Sequence, residues 1–112
     1  MVKVLVVDDK PSQVELLCAM LTTIGVECFA AYSGVEAVNT AKQVQPQLII
    51  MDWLMPAETL TGDAATRQIL ADHSTHHIPV IACSAISNLE DIAYQAGCVD
   101  CVSKPFSLDT FI

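Results

Sequence analysis

The sequence predicts an α/β fold, a five-stranded parallel sheet with helices on both of its faces. Short apolar runs alternate with helical patterns five times along the chain, and polar residues stand where the runs end. Strands joined by such short connections pack with right-handed crossovers, which place helices on both faces of the sheet. A chain of 112 residues cannot be split into two units that each bury a core. Residues 1–112 are therefore predicted to form one domain.

The strands are predicted from apolar runs, because strands of a parallel sheet are buried on both faces. The five predicted strands are Val4–Val7, Val26–Ala31, Leu48–Met51, Ile78–Cys83 and Val99–Val102. Asp52 closes the third of them. Polar side chains at such strand ends are expected to share one edge of the sheet, where open α/β proteins place their ligand sites.

The helices are predicted from start and stop signals. Three of the five predicted helices are Pro11 to Gly25, Asp63 to Ala71 and Ser107 to Ile112. The other two open with capping boxes: one begins at Ser33–Glu36 and ends before Pro46, and the other begins at Ser87–Glu90 and ends at Gly97. The last helix is truncated: it has fewer than two turns and is not stable alone. We therefore expect either a piece of a longer protein or a sheet face that is open to a partner.

Charge and hydropathy exclude two classes of function. The net charge is −8 and only five residues are basic, which argues against a direct nucleic-acid surface. The apolar runs are far shorter than the roughly 20 residues that span a membrane. The N-terminus lacks the small-residue cleavage site of a signal peptide. We expect a cytoplasmic protein without a membrane segment.

The cysteines and histidines are predicted to be structural or solvent-exposed. Five cysteines are an odd number, and most lie in apolar stretches, so a disulfide framework is not expected. Cys98 and Cys101 have C-x-x-C spacing, but at the start of a strand rather than at the helix N-terminus that redox motifs use. His73, His76 and His77 have no acid or cysteine ligand nearby and are not predicted to bind metal.

A charged set stands at the predicted strand ends: Asp8, Asp9, Asp52, Ser84 and Lys104. Crowded carboxylates repel one another unless a hard cation neutralises them. Mg²⁺ suits such a set, because it takes one or two carboxylates and leaves room for phosphate oxygens. An Asp carboxylate can form an acyl phosphate, which makes Asp52 the natural nucleophile. The set predicts metal-assisted phosphoryl chemistry.

The ordered motifs resemble the receiver domains of bacterial response regulators. They are Val6-Val7-Asp8-Asp9, Asp52 with Met55-Pro56, Ser84-Ala85 and Lys104-Pro105-Phe106. The resemblance covers essentially the whole chain and implies a flavodoxin-like, doubly wound sheet of order 2-1-3-4-5. It also implies phosphoryl transfer to Asp52 from a phosphohistidine on a sensor histidine kinase or a histidine phosphotransfer domain.

The same resemblance assigns roles to the residues of the site. Asp9, Asp52 and the backbone carbonyl of Leu54 would bind Mg²⁺ directly, and Asp8 would act through water. Ser84 would move to meet the phosphoryl group, and Lys104 would pair with it. The peptide bond between Lys104 and Pro105 would be cis.

Two departures from the family pattern predict unusual behaviour. Cys101 occupies the position of the aromatic residue whose rotation usually signals activation, so output is expected to depend on the segment after Ser84. Leu54 and Ile86 are apolar where the family often carries side chains that orient the hydrolytic water. We therefore expect slow loss of phosphate from Asp52.

We predict a phosphorylation-switched binding module, which is not an enzyme because it catalyses only its own modification. One rival is an aspartyl-phosphate phosphatase, but these enzymes place a second acid two residues after the nucleophile, where this chain has Leu54. The other rival is a receiver-like interaction domain that works without phosphorylation, which the intact acidic set argues against. The sequence leaves a homodimer and covalent attachment to further domains open.

Overall fold

The chain alternates between strands and helices. The computed structural model describes residues 1–84 and 89–104. In order, the elements are β1 (Lys3–Val7), α1 (Pro11–Thr22), β2 (Glu27–Ala31), α2 (Gly34–Val44), β3 (Leu48–Asp52), a short 3₁₀ turn (Ala57–Thr59), α3 (Gly62–Ala71), β4 (Val80–Ser84), α4 (Leu89–Ala96) and β5 (Asp100–Ser103).

The five strands form one parallel sheet in the order β2-β1-β3-β4-β5. The predicted flavodoxin-like order is confirmed. Val7 pairs with Ala31 on one side and with Met51 on the other, and Asp52 pairs with Cys83. The strands therefore end nearly level, and the residues that leave β1, β3, β4 and β5 meet at one edge.

Alternate side chains of the strands supply two separate cores. Along β1, Leu5 and Val7 join the larger cluster, which also holds residues of α2, α3 and α4. Val4 and Val6 point to the opposite face and pack with the buried residues of α1. The period of two along a strand is what divides the apolar residues between the faces.

Several predicted ends shift by a few residues. α1 ends at Thr22 rather than Gly25, because a turn follows in which Gly25 takes φ of +85°. β4 begins at Val80, after Pro79, whose nitrogen carries no hydrogen for the sheet. The predicted cap is confirmed at Ser33, whose side chain accepts a hydrogen bond from the Glu36 N–H at 3.1 Å.

Some predictions lie outside the described residues. These concern the Ser87–Glu90 capping box, the truncated helix of residues 107–112, Ala85, Ile86, and the peptide bond between Lys104 and Pro105. Among the helices in the described ranges, none is long and apolar enough to cross a membrane. The cytoplasmic location stays a prediction.

The cysteines are free thiols that pack with the cores. Burial raises the pKa of Cys98 to about 11, and burial together with a hydrogen bond to Cys18 raises the pKa of Cys28 to about 12. Redox chemistry needs the thiolate, which such environments disfavour. Cys101 lies half-buried on β5 against the larger cluster, so a small side chain stands where the resemblance implies a switch aromatic.

Candidate functional site

The predicted site residues converge at the carboxyl edge of the sheet. Asp8 follows β1, Asp52 and Ser84 end β3 and β4, and Lys104 follows β5. The side chains of Asp8 and Asp52 are both buried, as is Ser84. Buried charge is costly unless it is paired, so the partners of these groups decide what the site can do.

Lys104 joins two of the carboxylates. Its Nζ donates a hydrogen bond to Asp8 Oδ2 at 2.8 Å and to Asp52 Oδ1 at 3.0 Å. The Lys104 backbone N–H also donates to the carbonyl oxygen of Ser84 at 3.0 Å, which fixes the start of the side chain against β4. Burial alone lowers the pKa of Lys104, but the hydrogen bonds to Asp8 and Asp52 outweigh it, so the pKa is raised.

Asp52 is hard to ionise despite its lysine partner. Burial raises the pKa of Asp52 from its ordinary 3.8 to about 6, and the neighbouring charges of Asp8 and Asp9 act in the same direction. The Lys104 hydrogen bond lowers the pKa and only partly offsets them. A further positive charge at the site would therefore favour the carboxylate, which is the nucleophilic form.

The acidic cluster fits a hard divalent cation. Asp8, Asp9 and Asp52 each offer a carboxylate oxygen, and these oxygens lie within 4.8 Å of one another. Asp8 is already engaged by Lys104 and by the Lys10 N–H at 3.0 Å. Buried Asp9 Oδ1, in contrast, receives no hydrogen bond from the described residues. Three carboxylates and one ammonium leave a net charge of −2, which suits Mg²⁺.

A small pocket opens beside these groups. It has a volume of about 140 Å³ and is lined by Lys10, Asp52, Leu54, Ser84 and Lys104. Leu54 is 61% exposed, so its apolar side chain reaches solvent beside the nucleophile. Carboxylate, hydroxyl and ammonium groups around so small a space can hold one phosphoryl group. Lys10 is a lining residue that sequence reasoning missed, although its place directly after Asp8-Asp9 could have indicated it.

The loop after β3 holds the end of that strand in place. The Trp53 N–H donates to the Cys83 carbonyl oxygen at 3.0 Å, and the Gly62 N–H donates to the Trp53 carbonyl oxygen at 3.2 Å. A Cβ on Gly62 would overlap the carbonyl oxygen of Asp52. Only glycine therefore allows α3 to start against the strand that carries Asp52. The sequence predicted this helix from Asp63 and could not reveal the contact.

The three histidines before β4 are not part of this acidic cluster. Among the described residues, Asp8, Asp9 and Asp52 form the three-residue group whose ligand atoms lie close enough to share an ion. The rings of His73 and His76 instead meet edge to face, with centroids 6.2 Å apart, and His76 Nδ1 lies 2.9 Å from the His73 carbonyl oxygen.

Comparison with known proteins places this site in a family. The family model of the response regulator receiver domain matches residues 4–112. Protein PilH of Pseudomonas aeruginosa is 34% identical over 114 residues, covering 100% of this chain and 93% of PilH. The polar-differentiation response regulator DivK of Brucella ovis is 33% identical over 111 residues, covering 97% of this chain and 89% of DivK.

Solved structures of similar proteins point to the same family. Chemotaxis protein CheY4 of Vibrio cholerae superposes with a TM-score of 0.89 at 27% identity, covering 98% of this chain and 92% of that protein. The receiver domain of sensor histidine kinase PA1611 from Pseudomonas aeruginosa gives a TM-score of 0.86 at 31% identity, covering 96% of this chain and 88% of that domain. That structure has a magnesium ion coordinated in the active site cleft. The chain thus belongs to the response regulator receiver domains, the phosphorylation-switched signalling domains of two-component systems.

Proposed function

We propose that this domain accepts a phosphoryl group on Asp52 in a reaction that requires Mg²⁺. The observation that carries the proposal is the half-buried Lys104 ammonium, which bridges the carboxylates of Asp8 and Asp52 at 2.8 and 3.0 Å. A cation shared in this way can turn to a phosphoryl oxygen on Asp52 without leaving the site. Phosphoryl transfer depends mainly on such charge compensation and alignment.

Asp9, Asp52 and the Leu54 carbonyl would hold the metal directly, and Asp8 would contribute through water. Asp9 Oδ1, which has no hydrogen-bond partner within residues 1–84 and 89–104, supports this division, because Asp8 already accepts hydrogen bonds from Lys104 and the Lys10 N–H. When bound, Mg²⁺ neutralises charge on the carboxylates and on the phosphoryl oxygens. Asp52 is then ionised, although burial raises its pKa in the metal-free protein.

The donor would be a phosphohistidine of a sensor histidine kinase or a histidine phosphotransfer domain. A carboxylate oxygen of Asp52 attacks the phosphorus, and the P–O bond forms as the P–N bond breaks. The imidazole nitrogen keeps the electron pair of that bond and takes a proton from solvent. Lys104 and Ser84 then hold the phosphoryl oxygens. No external metabolite is turned over in this scheme.

Magnesium removal tests the proposal. Intact mass after incubation with acetyl phosphate should show one added phosphoryl group with Mg²⁺ and none with EDTA. Asp9→Ala should lose most of the uptake, because Asp9 Oδ1 receives no hydrogen bond from the part of the chain that the structure describes and belongs to the acidic cluster. Asp63→Ala is the matched control, since Asp63 is an exposed acid paired with Arg67. Equal labelling with EDTA and with Mg²⁺ would refute the metal requirement.

Leu54 should slow the loss of phosphate. It is 61% exposed at the pocket and offers no polar group to orient water beside Asp52. We expect Leu54→Asn to shorten the phosphoryl lifetime by about tenfold, since an oriented proton acceptor or donor contributes at least that much. The phosphoryl lifetime is measured from the decay of the phosphorylated mass in buffer with Mg²⁺.

Leu54→Ala separates polarity from size. It opens the same space without adding a hydrogen-bonding group, and its lifetime should stay within about twofold of wild type. Fast decay of the wild-type acyl phosphate, or equal acceleration by both variants, would contradict the role of the apolar side chain.

A further inference from the structure

Lys10 is an exposed cation at the rim of the phosphoryl pocket. It is the N-cap residue of α1 and lines the pocket together with Asp52, Ser84 and Lys104. Its backbone N–H donates to Asp8 Oδ1 at 3.0 Å, and Pro11 follows at the first helical position. These two constraints fix the backbone from which the side chain leaves.

Lys10 is also electrostatically uncommitted. Lys42 pairs with Asp72, Arg67 with Asp63, and Lys104 with the buried carboxylates. The two remaining basic residues, Lys3 and Lys10, form no ion pair within residues 1–84 and 89–104. Lys3 begins β1 at the far, amino end of the sheet. Within these described residues, Lys10 is thus the cation that adjoins the site and has no ion-pair partner.

We propose that Lys10 is a specificity-determining residue that draws anionic phosphodonors into the Asp52 pocket. The inference rests on the proposed function of Asp52. A protein of net charge −8 repels a phosphate dianion, and the carboxylate cluster repels it further. A positive charge at the rim offsets that repulsion where the donor enters. The substrate class is a donor with an anionic phosphoryl group, either a small acyl phosphate or a phosphohistidine.

The charge of Lys10 must also weaken the binding of Mg²⁺. An ammonium beside the carboxylates repels a divalent cation while it attracts the phosphodonor. Removal of the charge should therefore tighten Mg²⁺ binding and slow phosphorylation at saturating Mg²⁺. A residue that only supports the fold would weaken both together. The opposed signs distinguish an electrostatic role from a structural one.

The experiment compares Lys10→Met with wild type and with Lys3→Met, which removes an equal charge at the far end of the sheet. Trp53 fluorescence reports Mg²⁺ affinity, and intact mass reports the rate of labelling by acetyl phosphate at saturating Mg²⁺. At low ionic strength we expect Lys10→Met to bind Mg²⁺ roughly threefold to tenfold more tightly and to label roughly threefold to tenfold more slowly. Both differences should shrink in high salt, and Lys10→Arg should behave as wild type.

Unchanged labelling by Lys10→Met, or equal losses in Lys3→Met, would overturn the inference. So would a parallel loss of Mg²⁺ affinity and labelling, which indicates a structural role. If the wild type binds Mg²⁺ but gains no phosphoryl group, the proposed function itself fails and this inference falls with it. That result differs from the one in which the wild type is labelled and Lys10→Met matches it.

Discussion

Asp52→Asn should abolish phosphoryl uptake and leave the fold intact. The amide is nearly isosteric with the carboxylate but is not a nucleophile toward phosphorus. Intact mass after incubation with acetyl phosphate and Mg²⁺ should therefore show one added group in wild type and none in the variant. Asp91→Asn, an exposed acid on α4, is the matched control and should label as wild type.

The same variant should change how stability depends on pH. The folded protein holds the Asp52 proton more tightly than the unfolded chain, because burial raises the pKa from 3.8 to about 6. Stability from this group is therefore fully present below pH 3.8 and is lost as the pH rises to about 6. Urea unfolding of the metal-free protein across that range should show a smaller fall for Asp52→Asn. Phosphoryl uptake by the variant would place the acceptor elsewhere.

Gly62→Ala should destabilise the protein by about 3 kcal/mol or more, the upper range for overpacking a site that cannot relax. The new Cβ would overlap the carbonyl oxygen of Asp52 and lie 2.8 Å from the Trp53 Cα. Both are backbone atoms, so no side chain can rotate to make room. Labelling of the folded fraction should also slow, because relief of the overlap must move the strand end that carries Asp52.

Gly25→Ala is the control for Gly62. A Cβ on Gly25 meets nothing within 4 Å, but its φ of +85° is unfavourable for alanine. We expect a loss of only about 1 kcal/mol and normal labelling of Asp52. Chemical denaturation of both variants measures the difference. Equal losses would mean that backbone conformation, rather than the overlap with Asp52, decides the effect.

The strand order and the main groups of the site could be predicted because few alternatives fit the sequence. Strands buried on both faces leave continuous apolar runs, and parallel strands bring their carboxyl ends to one edge. Asp8, Asp52, Ser84 and Lys104 follow from that rule alone. The different tasks proposed for Asp8 and Asp9 did not follow from it, since adjacent acids look alike in sequence. The resemblance supplied that division.

Other features of the site could not be predicted from the sequence, for physical reasons. The raised pKa of Asp52 depends on burial and on the balance between Lys104 and the other acids, which spacing does not encode. The cap of α3 is Thr61, whose Oγ1 accepts from the Ala64 N–H at 3.2 Å, whereas the sequence predicted the start of this helix at Asp63. The close approach of Gly62 to Asp52 is a contact between backbones, and Lys10 matters only because of where the pocket opens.

The bridge from Lys104 to Asp8 joins residues 96 positions apart in the chain. Both carboxylates that Lys104 holds come from strands made much earlier during synthesis, so the bridge forms only when β5 has joined the sheet. A ribosome-bound chain that lacks β5 contains Asp52 but lacks the ammonium that compensates it. Under the proposed function, competence to accept phosphate is therefore acquired only after β5 and Lys104 have been made.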